Sequence, residues 1–315
     1  MTGREDIHPG SRWHARGLNN GAIFTATYYG VTHAPRWCTY GIGRVGTWLA
    51  YHLMHDGTEG LLENLRVVRP EASSRELGRL ALLTYRTYAK DTIDFIRSLS
   101  MSAPELASLV VQWDGDRFDE LLAEKRGVIV VGGHFGNWEL GGVALRRLRG
   151  YPLTVIGRPE ASPAVGQIRR RMRESLGIET IEIGQMLDTA LQIRKVLGAN
   201  GLVAMLVDRH LGRDRVDVTF FGRRTGFLRS PAMIAALAGA PLLPSFMLRQ
   251  PSGRFVAVCG TPIRVDPSLA LDEGIGQVTQ ALASQLEEHI RAHPHLWYQF
   301  YPYWRDDSTI HALGQ

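Results

Sequence analysis

A histidine and a glutamate five residues apart, His134 and Glu139 in the stretch His134-Phe-Gly-Asn-Trp-Glu139, are the side chains of this 315-residue sequence best suited to moving a proton. On one continuous helix they would point roughly 140° apart, at about 100° per residue, and could not pair. If His134 lies in a loop and Glu139 in the first turn of a helix, the chain doubles back at Gly136 and the carboxylate can reach one imidazole nitrogen. The other nitrogen then faces outward. That is the geometry of a general base with its orienter, the carboxylate fixing the tautomer and stabilising the imidazolium formed when the histidine takes a proton from a hydroxyl. The competing reading is a loop histidine beside a surface glutamate.

The elements that must position this pair are legible around it. Val128 to Val131 form a β-branched apolar run between Gly127 and Gly132-Gly133, which predicts a strand buried on both faces. Asn137 is a good N-cap, Glu139 sits where the positive end of the helix dipole favours a carboxylate, and Leu140, Val143, Ala144 and Leu148 recur at helical spacing. The pair therefore lies past the C-terminal end of a strand, where open α/β sheets place their sites.

Downstream the pattern alternates: strand Leu153 to Ile156, helix Pro163 to Leu176, strand Ile178 to Ile181, helix Met186 to Leu197, strand Leu202 to Val207. Further strands are predicted at Val216 to Phe220, Leu242 to Leu248 and Phe255 to Val258, and a long helix from Asp272 to His293. The fold class is α/β, with a large mixed central sheet flanked by helices on both faces and a helical N-terminal segment. The expected division is an irregular segment over 1–39, a helical and membrane-associated segment over 40–110, and an α/β domain over 111–315.

Composition narrows the function classes. The chain is 44% hydrophobic and 21% charged, with a formal charge of +5 and a pI near 9.4, so anionic partners are favoured and no nucleic-acid partner is expected. Cys38 and Cys259 form neither a CxxC pair nor a metal spacing, so no disulfide framework and no metal or other cofactor is expected. The charged start, Met1-Thr-Gly-Arg-Glu-Asp6, carries no secretory signal. The uncharged run from Ser230 to Leu248 is interrupted by Pro231, Gly239, Pro241 and Pro244, which predicts a helix, a turn and a buried strand instead of a membrane span. Gly41-Ile-Gly-Arg-Val-Gly46 satisfies GxGxxG but lacks the preceding strand a dinucleotide site needs, and reads as the start of an apolar helix, Val45 to Met54, that packs on the domain or lies on a bilayer surface.

The His-x4-Glu stretch, its apolar strand, its Gly-Asn-Trp filling and the glycines after the acid resemble the glycerolipid acyltransferases. Within that family they resemble more closely the bacterial branch of lipid A late acyltransferases and phosphatidylinositol mannoside acyltransferases. The likeness extends to the predicted helices before the motif, to Arg158-Pro159 with Ser162-Pro163 and Arg173, to Asp208-Arg-His-Leu-Gly212, and to Phe220-Phe-Gly222 with Thr225 and Gly239-Ala-Pro241. It implies a catalytic dyad of His134 and Glu139, with Arg158, Arg173, Asp208 and Asn137 contacting substrate and no metal. Two departures stand out: His210 replaces an acid often found in the branch, and the C-terminal Trp297-Tyr-Gln-Phe-Tyr-Pro-Tyr-Trp304, read as core or tunnel wall, replaces a basic His-Arg-Arg.

The expected activity is transfer of a fatty acyl chain from a thioester, on coenzyme A or acyl carrier protein, to a hydroxyl of a lipid or glycolipid, at the cytoplasmic face of the membrane. No GxSxG elbow or Walker motif is present, and neither cysteine neighbours a histidine, so direct attack by a His134-activated acceptor is the simplest mechanism. The alternatives are a thioesterase or lipase using the same dyad with water, and a non-catalytic lipid-binding relative.

Overall fold

A computed structural model of the chain describes residues 21–157, 162–183, 186–210, 212 and 214–305. The N-terminal part is helical: α1 (Gly21–His33), α2 (Arg36–Leu53), α3 (His55–Val68), α4 (Ser74–Ser98) and α5 (Ala103–Leu109). The starts of α4 and α5 carry full capping boxes, in which Ser73 and Glu76, and Ser102 and Glu105, bond each other's backbone N–H groups. Residues 21–33 were expected to be irregular and are helical instead. This helix is apolar with almost no sidedness, so it shows none of the periodicity by which a helix is read from sequence. The GxGxxG stretch lies wholly inside α2, so it forms no phosphate-binding turn.

The rest alternates strand and helix: β1 (Val110–Trp113), α6 (Asp116–Leu122), β2 (Val128–Gly132), α7 (Trp138–Leu148), β3 (Leu153–Gly157), α8 (Pro163–Ser175), β4 (Glu179–Glu182), α9 (Met186–Gly198) and β5 (Leu202–Leu206). A hairpin of β6 (Val216–Phe220) and β7 (Arg223–Phe227), α10 (Ser230–Ala238), β8 (Leu242–Arg249), β9 (Phe255–Cys259) and α11 (Leu271–Ala292) complete it. Seven strands form one sheet in the order β1-β9-β8-β2-β5-β3-β4. All neighbours are parallel except β8 and β9, so the sheet is mixed, with β2 near its middle. The run Ser230 to Leu248 becomes α10, a left-handed Gly239 and β8, a strand buried in the sheet.

Apolar side chains fill both sheet faces. Ile129, Val131, Val203 and Met205 pack toward α10 and α11, whereas Val128, Val130, Leu145, Leu202 and Phe118 share the cluster beneath α7. A third cluster joins Val31, Ile93 and Ile96 of the N-terminal helices to Leu140, Val143 and Met247, so helical segment and sheet are cemented by common core. One surface departs from this pattern. Trp37, Ile42, Val45, Trp48, Leu49 and Leu53 of α2 are exposed along one arc of the helix, while Thr39, Thr47 and Ala50 on the other side are buried. Among the described residues no helix is long and apolar enough to cross a membrane.

Candidate active site

The loop after β2 is held from three directions. Tyr298 N–H donates to the His134 carbonyl at 2.8 Å, Gly136 N–H to the Leu296 carbonyl at 2.9 Å, and Asn137 N–H to the Met247 carbonyl at 2.9 Å. Gly136 has a φ of +64°, and a Cβ there would overlap the Met247 carbonyl oxygen, so the doubling back requires glycine. Phe135 is buried under the loop against Phe246, at 5.6 Å between rings. Asn137 starts α7 as its cap, accepting from Leu140 N–H at 3.1 Å, and donates its amide to the Asp91 carbonyl at 3.0 Å.

The carboxylate that reaches the His134 ring belongs to Asp208. Nδ1 of His134 lies 2.7 Å from Asp208 Oδ1, and His134 N–H donates to Asp208 Oδ2 at 2.9 Å. The sheet explains this: β2 and β5 are parallel neighbours with Gly132 opposite Leu206, so His134 and Asp208 each stand two residues beyond the last matched pair. Strands about 4.8 Å apart bring those two positions within hydrogen-bonding reach. Oδ2 of Asp208 also accepts from Gln299 Nε2 at 2.8 Å and Trp297 Nε1 at 3.2 Å, and its backbone carbonyl accepts from the Tyr303 hydroxyl at 2.7 Å. Burial alone would raise the Asp208 carboxyl, but the His134 ring and backbone N–H, with Arg209, outweigh it and hold the pKa at about 2. An ionised, acceptor-only Asp208 places the imidazole proton on Nδ1 and leaves Nε2 as the basic nitrogen. Burial, and then Arg209, pull the His134 pKa below its usual 6.5 against the opposing pull of Asp208, so the ring is a neutral base at physiological pH.

Glu139 stands elsewhere. Its Oε1 accepts from Arg173 at 2.8 Å and Arg169 at 3.3 Å, both from α8, and the expected hydrogen bond to His134 is replaced by this clamp. The reason is its place in the first turn of α7: the helix carries the side chain toward α8, while Asp208 already occupies Nδ1. Burial pushes the Glu139 carboxyl up, but Arg173 and Arg169 draw it below the usual carboxylate range.

Both groups edge a cavity of about 520 Å³ between α7 and the sheet. His134, Glu139, Arg169, Arg173 and Arg209 are among its polar lining residues. Val130, Val155, Ala204, Phe95 and Phe118 are among its many apolar ones. Among the described residues no group of three His, Cys, Asp or Glu side chains converges as a metal site.

The sequence profile described as "Bacterial lipid A biosynthesis acyltransferase" matches residues 12–306. The chain belongs to this acyltransferase family. It is 32% identical over 274 residues to the phosphatidylinositol mannoside acyltransferase of Mycobacterium tuberculosis (strain CDC 1551 / Oshkosh), covering 84% of this chain and 83% of that protein. It is 29% identical over 272 residues to the protein of the same name from Mycolicibacterium smegmatis, covering 85% and 86%. The chain is accordingly an O-acyltransferase.

In this acyltransferase the residues picked out from sequence are brought together only in part. His134, Glu139, Arg173 and Asp208 converge, with Asp208 against the histidine. Asn137 is 4% exposed and spends both ends of its amide within the protein, which fits a scaffold role better than substrate contact. Arg158 lies outside the described residues. Sequence reasoning missed Arg169 as a second partner of Glu139, and missed Trp297, Gln299 and Tyr303 as supports of Asp208. Reading the aromatic C-terminal stretch as core or tunnel wall was the available signal: six of its first seven residues are 9% exposed or less.

Proposed function

We propose that this acyltransferase moves a fatty acyl chain from a thioester, on coenzyme A or acyl carrier protein, to a hydroxyl of a lipid or glycolipid acceptor. The observation that carries the reading is a neutral histidine, oriented by a buried carboxylate, at the edge of a largely apolar cavity large enough for an alkyl chain. Nε2 of His134 takes the acceptor proton as the hydroxyl attacks the thioester carbonyl, Asp208 stabilises the imidazolium, and the proton then serves the leaving thiolate. Bond making and breaking occur at the acyl carbon, with no enzyme-bound intermediate. The guanidinium groups of Arg169 and Arg173, held by Glu139, are placed to bind an anionic group of donor or acceptor. The names of the mycobacterial relatives make a mannosylated phosphoinositide a reasonable acceptor to try first.

Incubation of purified protein with radiolabelled palmitoyl-coenzyme A, with and without a lipid extract, tests this directly. Transfer of label to a lipid only when the extract is present is the expected result; equal release of free fatty acid in both would mean a hydrolase. Because His134 must be neutral to act and its pKa is lowered, kcat/KM at saturating co-substrate should be flat near neutrality and fall as pH drops through a value below 6.5. A profile limited by an acidic group titrating well above 7 would remove His134 as the base.

We further propose peripheral attachment to the cytoplasmic face of the membrane; the exposed arc of α2 supports the attachment. Two tryptophans, four aliphatic side chains and Arg44 face outward on it, a composition suited to the headgroup region. Flotation with anionic liposomes is expected, weakened by salt through its electrostatic part and abolished by Trp48→Glu with Leu49→Glu. Unchanged flotation of a folded double variant would place the membrane contact elsewhere.

A further inference from the structure

The cavity is chemically lopsided. On the β4 side Glu139, Arg169 and Arg173 charge its wall, whereas toward β1 its lining is mainly apolar, with Phe95, Phe118, Met247 and Ala257 and, just beyond β1, Asp114. A saturated chain would partition into the second arm, with the headgroup end left beside the arginines. Three small lining residues mark the course of that arm from the middle of the sheet outward. Gly132 at the end of β2 packs against Ser245 of β8, Ser245 is the register partner of Cys259 of β9, and Cys259 Sγ lies 3.4 Å from the Asp114 carbonyl oxygen just beyond β1.

Trp113, the last residue of β1, closes this row. Its indole lies 6.4 Å from the Phe118 ring, and Phe118 in turn stacks on Tyr151 at 5.8 Å, so a row of three aromatic rings stands at this end of the arm. The indole also folds back over the turn into α6: a Cβ on Gly115 would overlap it, so glycine there is what lets the ring take this place. We propose that Trp113 is the stop that sets the length of acyl chain this enzyme accepts, with Cys259 setting the bore of the arm before it. The inference rests on the acyl-transfer reading of the same cavity. β1 stands three strands from β2, which at about 4.8 Å per strand is about 14 Å. At about 1.2 Å per bond in an extended chain, that length takes about a dozen carbons beyond the carbonyl.

The test is displacement of a fluorescent fatty acid from the purified protein by saturated fatty acids from octanoate to eicosanoate, followed by the chain-length preference with the matching acyl-coenzyme A series. For wild type, affinity should rise about fourfold with each added methylene and then level off. Trp113→Ala should move the levelling point at least about two carbons longer, Trp113→Phe by less, and Cys259→Leu to shorter chains. A folded Trp113→Ala protein with the wild-type levelling point overturns the assignment, as does a uniform loss at every length. If Trp113→Ala does not fold, Trp113→Phe decides the stop, a levelling point moved to longer chains upholding it and an unchanged one overturning it, while an unchanged profile for Cys259→Leu overturns the course of the arm. If wild-type protein binds no fatty acid of any length, the acyl reading falls first, and the stop with it.

Discussion

His134→Ala is expected to lower acyl transfer by about two to four orders of magnitude, the usual range for loss of a positioned general base. Folding should survive, since the loop is held mainly by backbone hydrogen bonds from Tyr298, Gly136 and Asn137 and by the buried Phe135 ring. The imidazole is about one-fifth exposed, so truncation removes little packing. The rate with a saturating thioester donor and the thermal midpoint are the two measurements needed. Retention of more than about a tenth of the wild-type rate, with an unchanged midpoint, would end the case for His134 as base. The variant also leaves Asp208 without its ring partner while Trp297 and Gln299 still donate to it, so its carboxylate should remain charged near neutrality.

The parts of this site that local pattern encodes were legible, and the parts that strand pairing encodes were not. β2 announces itself by four β-branched residues between glycines, and α7 by its Asn137 cap and helical periodicity, so His134 was placed in its loop and Glu139 in the first turn. Which carboxylate meets the imidazole depends on β5 lying beside β2, a fact about residues 74 apart that no local period contains. The same holds for Gln299 and Trp297, which reach Asp208 across about 90 residues of chain. The elements missed outright include α1, read as irregular, and β1, α6 and β7, which at four, seven and five residues are too short for periodicity to register. Glu139 was singled out as the partner of His134, and although its place in the first turn of α7 was legible, its partners depended on where α8 packs.

Asp208→Asn should be nearly as damaging as His134→Ala, and clearly worse than Glu139→Gln. The side-chain amide of asparagine can present its N–H₂ to Nδ1, which moves the ring proton to Nε2 and leaves no basic nitrogen toward the acceptor, and a neutral amide does not stabilise the imidazolium. A loss of about two to four orders of magnitude in kcat follows, with KM for the donor little changed. Glu139→Gln keeps an acceptor for Arg173 and Arg169 but removes the charge that holds them, so its effect should appear mainly in KM for the substrate carrying the anionic group. The two carboxylates should separate in stability as well. The folded pKa of Asp208 lies at about 2, below its ordinary 3.8, so the ionised group contributes stability that is fully present above 3.8 and is lost as pH falls from there to about 2. The Asn variant should lose that part of the acid-unfolding profile, whereas wild type and Glu139→Gln retain it. The opposite ranking, with Glu139→Gln abolishing kcat and Asp208→Asn keeping more than about a tenth of it, would return the dyad to His134 and Glu139 and reduce the Asp208 contact to scaffolding.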